Sequence, residues 1–455
     1  MSASDTPSTP GGSSKSRREF IRTGSSWLVA GGVAGSLVGG KLDVARAAHA
    51  SGSDEIKVGL VGCGGRGTGA AVQALNTTSG PVRLTAIGDV FEDRVQTAYR
   101  AIKSQHGDKC DVPEDQRHVG FDAFRKVIAA DVDLVILATP PGFRPLHFEA
   151  AVEAGKHVFM EKPVAVDAPG VRRVLAACEK AKAKGLSVSV GLQRHHEVAY
   201  KETVQQLHDG AIGDINFCRA YWNGGGVWVR PRQEGQTELE YQMRNWYYFN
   251  WLCGDHINEQ HIHNIDVINW VKQGYPVKCQ GQGGREVRKG KDFGQIYDHH
   301  FVEYTYADGS VMLSQCRHIA DCWNAVSEFA HGSQGYCDIS GAKIYDNKGN
   351  RTWMSKGERD GWQQEHHDLF ADLRKGIIYA EGEYGAYSTL TAIMGRMATY
   401  SGVELTWEQA LNSTLSLGDV DAMKTLDDAA PLSPDANGDY YVAVPGQSKD
   451  FNKIF

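Results

Sequence analysis

The chain has 455 residues, of which 41% are hydrophobic and 23% are charged, and its formal net charge is −7. These values are typical of a globular protein long enough for two or three domains. Because the charge is mildly acidic and has no long run of one sign, the sequence favours neither nucleic acid nor an anionic membrane surface as a partner.

Residues 1–50 have the features of an export leader. A twin-arginine motif includes Arg17 and Arg18, a weakly apolar run covers residues 27–38, and small residues at 45–48 offer a cleavage site. The apolar run is too short and too rich in glycine for a membrane-spanning helix. We therefore expect export of the folded chain by the twin-arginine machinery to the periplasm or beyond.

A glycine-rich turn follows the first predicted strand, residues 57–61. Gly62, Gly64 and Gly67 form a G-x-G-x-x-G pattern, and a helix is predicted from residue 68 to residue 75. In a dinucleotide site these glycines allow a tight turn, close approach of the backbone to the pyrophosphate, and packing of helix on strand. The first N–H groups of the helix have no partners within it and favour a phosphate. The predicted cofactor site includes two further residues of this turn, Cys63 and Arg66.

The second predicted strand, residues 82–88, ends at Asp89, 22 residues after Gly67. An acid at this position hydrogen-bonds the adenosine ribose and repels a 2′-phosphate, which favours NAD over NADP. Arg94, on the predicted helix of residues 92–103, is assigned to the same site.

Strands and helices alternate up to Gln193, with further strands predicted at 133–138, 156–160 and 187–193. This alternation predicts a doubly wound, Rossmann-type parallel sheet for residues 51–193. Ligands bind at the carboxyl ends of such strands. Residues at or next to those ends complete the predicted cofactor site: Thr139, Pro140, Glu161, Lys162 and Gln193. A buried Lys162 near a cationic nicotinamide would accept a hydroxyl proton, whereas the alternative is a surface ion pair with Glu161.

The pattern changes after Gln193 to short strands with turns between them. Strands are predicted at 215–222, 277–283, 299–306, 311–318 and 336–345, and helices at 259–271 and 363–375. We predict an α+β domain with a mostly antiparallel open sheet for residues 194–420. A loosely ordered tail is predicted for residues 421–455.

The densest polar cluster surrounds Glu259, His263 and Asp266, which have helical i, i+4, i+7 spacing. Three interpretations remain open. His263 is a general acid/base adjusted by Glu259; or His256, Glu259, His261 and His263 include metal ligands; or the segment is an exposed, capped helix start. The spacing matches no common zinc motif, so no metal is predicted.

Candidate substrate contacts lie elsewhere in the chain. His195 and His196 directly follow a strand end and contact substrate or form a domain hinge, and His256 and Asp266 are assigned to the substrate as well. Five aromatic side chains stack on a sugar ring or pack in the core: Trp222, Trp246, Tyr247, Tyr248 and Trp251. The nine cysteines are scattered without a C-x-x-C pattern, which favours buried thiols over disulfides.

From about residue 56 to residue 413, these features together resemble the Gfo/Idh/MocA family of pyranose and cyclitol oxidoreductases. The most specific segments are residues 138–141, His147 and residues 154–163. The resemblance implies that Lys162 is catalytic and lies near the nicotinamide, that His147 belongs to the cofactor site, and that His263 is the catalytic histidine. Glu259 stands where the family has an aspartate.

The later stretch of Gln364, Glu365 and His366, with residues 388–396 and 405–408, resembles a secreted branch of the family. The resemblance also implies a homodimer or homotetramer paired through the open sheet face. The leading hypothesis is hydride transfer at a ring carbon of a sugar or cyclitol. Because the periplasm has no nicotinamide pool, the NAD would be tightly bound and reoxidised in place. The alternatives are an NAD-dependent glycoside hydrolase or lyase that acts by transient oxidation, and a sugar-binding protein without turnover.

Overall fold

The computed structural model describes residues 54–448 and 450–454, and its first sheet has six parallel strands in the order β3-β2-β1-β4-β5-β6. Its strands are β1 Ile56–Val61, β2 Val82–Asp89, β3 Arg117–Val119, β4 Leu134–Leu137, β5 His157–Met160 and β6 Val188–Val190. The helices between them are α1 Gly65–Leu75, α2 Glu92–His106, α3 Ala123–Ala129, α4 Arg144–Glu153 and α5 Ala168–Ala183. Every residue of β4 is apolar and buried, as in a central parallel strand covered on both faces. The predicted Rossmann-type sheet is confirmed.

The second sheet has nine strands in the order β14-β13-β12-β11-β7-β10-β9-β8-β15. These are β7 Ile215–Gly224, β8 Lys278–Gly284, β9 His299–Thr305, β10 Val311–His318, β11 Ala325–Gly332, β12 Gly335–Asp338, β13 Lys343–Asp346, β14 Arg351–Met354 and β15 Leu405–Thr406. Only β7 and β10 pair in parallel, and the other neighbours in this sheet are antiparallel. The predicted mostly antiparallel sheet is therefore confirmed.

The remaining helices cover one face of this second sheet or join it to the first. They are α6 Val198–His208, α7 Glu238–Arg244, α8 Asn250–Cys253, α9 His256–Glu259, α10 Ile262–Lys272, α11 Gly361–Arg374, α12 Gly382–Ser401 and α13 Trp407–Leu411. Along β10 every second residue is buried, so one face of the sheet packs on helices and the other stays partly exposed.

Several predicted elements differ from the structure. The predicted strand 336–345 is a hairpin of β12 and β13, and the predicted helix 259–271 is broken after Glu259. Strand β11 and helix α12 were not predicted. Helix α12 is buried on nearly all sides, so its sequence has no amphipathic pattern to reveal it.

The C-terminal region contradicts the prediction of a loosely ordered tail. Residues 417–432, which we call the strap, have no regular secondary structure but run from helix α5 to helix α7. Near one end Arg173 pairs with Asp421 at 2.7 Å, and at the other the side chain of Gln242 donates to the backbone oxygen of Leu432 at 2.8 Å. Apolar strap residues pack on the aromatic cluster beneath them. Tertiary contacts hold the strap in place without regular hydrogen bonding.

The export leader, residues 1–50, lies outside the described residues. Within the described part of the chain, no helix has both the length and the apolar character needed to cross a membrane. All nine cysteines are described and none forms a disulfide, as the scattered spacing predicted. The two sheets belong to one compact unit, and this unit has no boundary at residue 193 or 420. The predicted domain limits at these residues therefore stay predictions.

Candidate active site

The glycine turn between β1 and α1 has the geometry of a phosphate cradle. Gly62 has φ +97°, and a Cβ there would lie 2.5 Å from the backbone of Ala138. At Gly67 a Cβ would lie 1.9 Å from the Gly62 oxygen, so only glycine lets α1 pack this closely on β1. A Cβ at Gly64 would meet nothing within 4 Å. Helix α1 starts there without a capping side chain or an acid in its first turn. These residues therefore fit a dinucleotide pyrophosphate.

A cavity of about 1110 Å³ opens from this turn across the carboxyl ends of the first sheet. It exceeds the roughly 300–1,000 Å³ of common ligand pockets, so it has room for a cofactor and a second molecule. The predicted site residues that line it are Gly62, Gly64, Arg66, Gly67, Asp89, Arg94, Thr139, Pro140, His147, Glu161, Lys162, Glu259 and His263.

Asp89 lies at the end of β2, directly beside the glycine turn. Its carboxylate accepts hydrogen bonds from the backbone N–H of Cys63 at 2.7 Å and of Phe91 at 3.0 Å. Burial raises the pKa of Asp89, although these N–H groups and Arg94 oppose the increase. Cys63 thus contributes its backbone, while its thiol is buried against the oxygen of Gly88. The carboxylate is placed at the adenosine end of the turn, where a ribose would lie.

Lys162, just after β5, pairs with Glu259 rather than with its neighbour Glu161. Lys162 Nζ lies 3.1 Å from Glu259 Oε1 and also donates to the backbone oxygen of Glu259. Both side chains are mostly buried, with 13% and 14% exposed. Glu161 instead pairs with Arg66 at 2.6 Å, which ties the glycine turn to the end of β5. The alternative of a surface pair between Lys162 and Glu161 is therefore wrong.

His263 lines the same cavity from the start of α10, one helix after Glu259. Burial holds the pKa of His263 well below its usual range, and the positive charges of Lys162 and Arg194 lower it further. The imidazole is thus neutral, and its Nδ1 has no hydrogen-bond partner among the described residues. The ring of Trp222 stacks 6.0 Å away, although Trp222 does not line the cavity. A neutral base beside an amine provides two groups that can exchange a proton with a bound alcohol.

The wall after β4 holds His147 and one cation that sequence reasoning missed. His147 Nδ1 lies 3.2 Å from Thr139 Oγ1, and burial, then the charge of Arg144, lowers the pKa of His147 to about 3. Arg144 is 1% exposed and donates to the backbone oxygen of Thr139. Its Nε and Nη1 have no partner among the described residues. In the sequence, only the position of Arg144 shortly after β4 indicated that it could lie at the cavity.

Three residues assigned to the substrate belong to buried networks away from the cavity. His195 Nε2 lies 2.7 Å from Asp266 Oδ2, and the His195 ring stacks 4.3 Å from Trp270. Asp266 also accepts a hydrogen bond from a serine of α12 at 2.7 Å. His196 is held by carboxylates of Asp368 at 2.8 Å and Glu381 at 3.3 Å. We correct the assignment: the side chains of His195, His196 and Asp266 bond to other protein groups, and none of the three lines the cavity.

His256 also lies outside the cavity, fully buried beside Asp255. In the described part of the chain, the one group of three potential metal ligands within 4.8 Å of one another is Asp255, His256 and His300. The carboxylate of Asp255 already accepts from His256 Nδ1 at 2.7 Å and from the backbone N–H of Tyr297 at 2.9 Å. The Asp255 carboxylate is thus held by hydrogen bonds within the protein, whereas His256 Nε2 has no partner among the described residues. The set proposed from the sequence does not form a ligand group, since His261 bonds to Ser314 instead.

Gln193, predicted to be in the cofactor site, does not line the cavity. It is 7% exposed, and its side-chain oxygen has no partner among the described residues. Of the five aromatic candidates for stacking on a sugar, only Trp246 lines the cavity, while Tyr248 and Trp251 are in the core. Two tryptophans that the sequence did not single out line it as well. They are Trp228, in the loop before α7, and Trp362, at the start of α11.

Residues 56–191 match the family described as "Oxidoreductase family, NAD-binding Rossmann fold", Gfo/Idh/MocA. The match to this family agrees with the sheet order and the glycine turn.

The relatives include inositol dehydrogenases. An inositol 2-dehydrogenase 4 of Saccharopolyspora erythraea is 36% identical over 159 residues, 35% of this chain and 43% of the relative. An inositol 2-dehydrogenase of Rhizobium meliloti is 26% identical over 62% of this chain and 74% of its own. The chain spans less than half the length of the first curated relatives it matches. A solved levoglucosan dehydrogenase in complex with NADH and levoglucosan has a TM-score of 0.61 at 16% identity, covering 78% of this chain and 100% of its own. This likeness supports the same two-sheet fold.

Proposed function

We propose that the protein is an NAD-dependent oxidoreductase that transfers hydride at a ring carbon of a sugar or cyclitol. One observation carries the proposal: Lys162, Glu259 and His263 line the cavity that begins at the glycine turn of residues 62–67. The turn fits a pyrophosphate, and Asp89 favours NAD over NADP. The names of the relatives, which are dehydrogenases of inositols, support a polyol substrate.

The chain's own residues supply the proton chemistry. A bound nicotinamide supplies the hydride acceptor. We assign Lys162 as the group that accepts the hydroxyl proton as the C–H bond is broken. Glu259 holds the amine through its carboxylate and its backbone oxygen, so Lys162 Nζ has a fixed position. The neutral His263 binds the same hydroxyl and stabilises its orientation.

We further propose that the NAD is tightly bound, because the strap closes one wall of the cavity. Val420, Asp421, Met423 and Lys424 of the strap line the cavity together with the Rossmann-type sheet. The ion pair of Asp421 with Arg173 fixes this wall, so release of a dinucleotide would require the strap to move.

The proposal is tested by denaturing the purified protein and identifying the released nucleotide and its redox state. Polyols, sugars and glycosides are then screened for a change in the near-ultraviolet absorbance of the bound nucleotide. Loss of a glycosidic bond without a second substrate would favour the hydrolase or lyase alternative. Absence of any nucleotide, together with no gain on adding NAD, would refute the oxidoreductase.

Export by the twin-arginine pathway to the periplasm is proposed from residues 1–50. Replacing Arg17 and Arg18 together by lysine should retain the protein in the cytoplasm, as measured by cell fractionation. Export of that variant at the normal level would contradict the proposal.

A homo-oligomer is proposed through the outer face of the second sheet. Two exposed apolar side chains support this: Phe217 on that face is 37% exposed, and Trp323, whose ring packs on Tyr221 of the same face, is 64% exposed. The molar mass measured by light scattering should be that of a dimer or tetramer. Phe217→Glu should lower this mass toward that of the monomer. A monomeric parent protein at micromolar concentration would contradict the proposal.

A further inference from the structure

One wall of the cavity has an aromatic rim. Trp228 is 40% exposed and lies 5.9 Å from the ring of Trp246 and 6.2 Å from that of Tyr247. Tyr247 is buried beside Glu259, whose charge, after burial, raises the pKa of the Tyr247 hydroxyl. Trp228 lines the same cavity as Lys162, Glu259 and His263, so a molecule bound there can contact both the ring and the proton groups.

A cation lies on this rim without a partner of its own. The guanidinium of Arg230 stacks 5.0 Å above the Trp228 ring, and Arg230 lines the cavity. Its backbone N–H donates to Asn245, and no carboxylate of the described residues lies within ion-pair distance of its side chain. In contrast, Arg66 and Lys162 in the same cavity are each paired with a glutamate.

The cavity as a whole is more basic than the protein. Among its lining residues, eight lysine and arginine side chains face five carboxylates, whereas the whole chain has a net charge of −7. A dinucleotide with two phosphate charges leaves this positive excess only partly balanced. A cavity of one sign inside a protein of the other attracts a ligand of opposite charge.

We propose that the substrate is an acidic pyranose whose ring stacks on Trp228 and whose carboxylate binds Arg230. An exposed tryptophan offers an apolar face to the C–H groups of a sugar ring, and the planar guanidinium matches a carboxylate. This inference rests on the proposed oxidoreductase function and narrows its substrate from any sugar or cyclitol to an anionic one.

The test compares matched sugars on the purified holoprotein. Glucuronate and galacturonate are compared with glucose and galactose, as free sugars and as methyl glycosides, with glucose 6-sulfate as a second anion. Binding is measured by tryptophan fluorescence, and oxidation by absorbance of the bound nucleotide. A charge-assisted hydrogen bond predicts about a tenfold or greater preference for the uronates. Arg230→Gln should remove this preference by raising the KM for the uronates. Arg230→Lys should restore only part of it.

The matched control is Arg351→Gln, which removes an exposed arginine on β14 outside the cavity and should leave the preference intact. Two readouts separate the inference from the proposed function. Three results would overturn the inference without contradicting the oxidoreductase function. They are equal turnover of neutral sugars and uronates, a preference for glucose 6-sulfate over the uronates, and a preference for uronates that is retained in Arg230→Gln. Uronate binding without any oxidation supports the rim and refutes the oxidoreductase. Absence of binding by every sugar overturns the inference.

Discussion

Substitution of Gly64 by alanine separates cofactor binding from folding. Gly64 has φ −73° and ψ −178°, which any residue adopts, and its added Cβ would meet nothing within 4 Å. The free energy of unfolding should therefore change by less than about 1 kcal/mol, since reduced chain entropy offsets a poorer helix start. The new methyl group projects into the place assigned to the pyrophosphate. Overpacking of that kind costs about 1–3 kcal/mol, which is about a 5- to 150-fold weaker NAD affinity.

Two matched glycines complete this experiment. Gly224→Ala also finds open space but lies outside the cavity, so it should change neither stability nor nucleotide content. Gly67→Ala would overlap the oxygen of Gly62 at 1.9 Å and should lower the melting temperature. The assays are nucleotide content after denaturation, NAD affinity of the stripped protein by calorimetry, and thermal unfolding. A Gly64→Ala protein with full nucleotide content and unchanged affinity would refute the assigned pyrophosphate position.

Further predictions concern the proton groups, the strap and a buried histidine. Lys162→Met should slow single-turnover hydride transfer by about 10²–10⁴-fold and retain the nucleotide, and loss of the nucleotide would contradict a proton role. Asp421→Ala removes the ion pair with Arg173, which contributes at most about 1 kcal/mol. The rate of nucleotide exchange should therefore rise up to about fivefold. An unchanged rate would contradict the proposal that the strap retains the nucleotide. Burial lowers the pKa of His196, but its two carboxylate partners raise it to about 9, above the 6.5 of the unfolded chain. The folded state therefore gains about 3 kcal/mol below pH 6.5 and loses it as the pH rises through 9. Urea unfolding at pH 6 and pH 9 should show this loss, and His196→Gln should abolish it.

Local sequence patterns were sufficient to predict the site residues that lie at the ends of strands in the first sheet. The glycine turn, Asp89 and Lys162 each follow a strand end, and a parallel sheet brings all of its carboxyl ends to one edge. Position after a strand does not determine the direction of a side chain. His195 and His196 also follow a strand end, yet their rings turn to the carboxylates of Asp266 and Asp368 outside the cavity.

The other walls of the cavity are formed by segments whose sequences have neither helical nor strand periodicity, so they could not be placed from the sequence. The loop that carries Trp228 and Arg230 and the strap are irregular, and their places depend on tertiary contacts with α7 and α5. The spacing of Glu259 and His263 suggested one helical face, whereas the chain breaks between them and starts a new helix. Both side chains still reach the cavity because the two short helices follow each other at the same wall.

The place of the strap in the chain has a consequence for how the protein matures. Residues 417–432 leave the ribosome after both sheets have been made, so the nucleotide chamber stays open on one side throughout synthesis. Its last wall can therefore form only after every strand of both sheets has been synthesised.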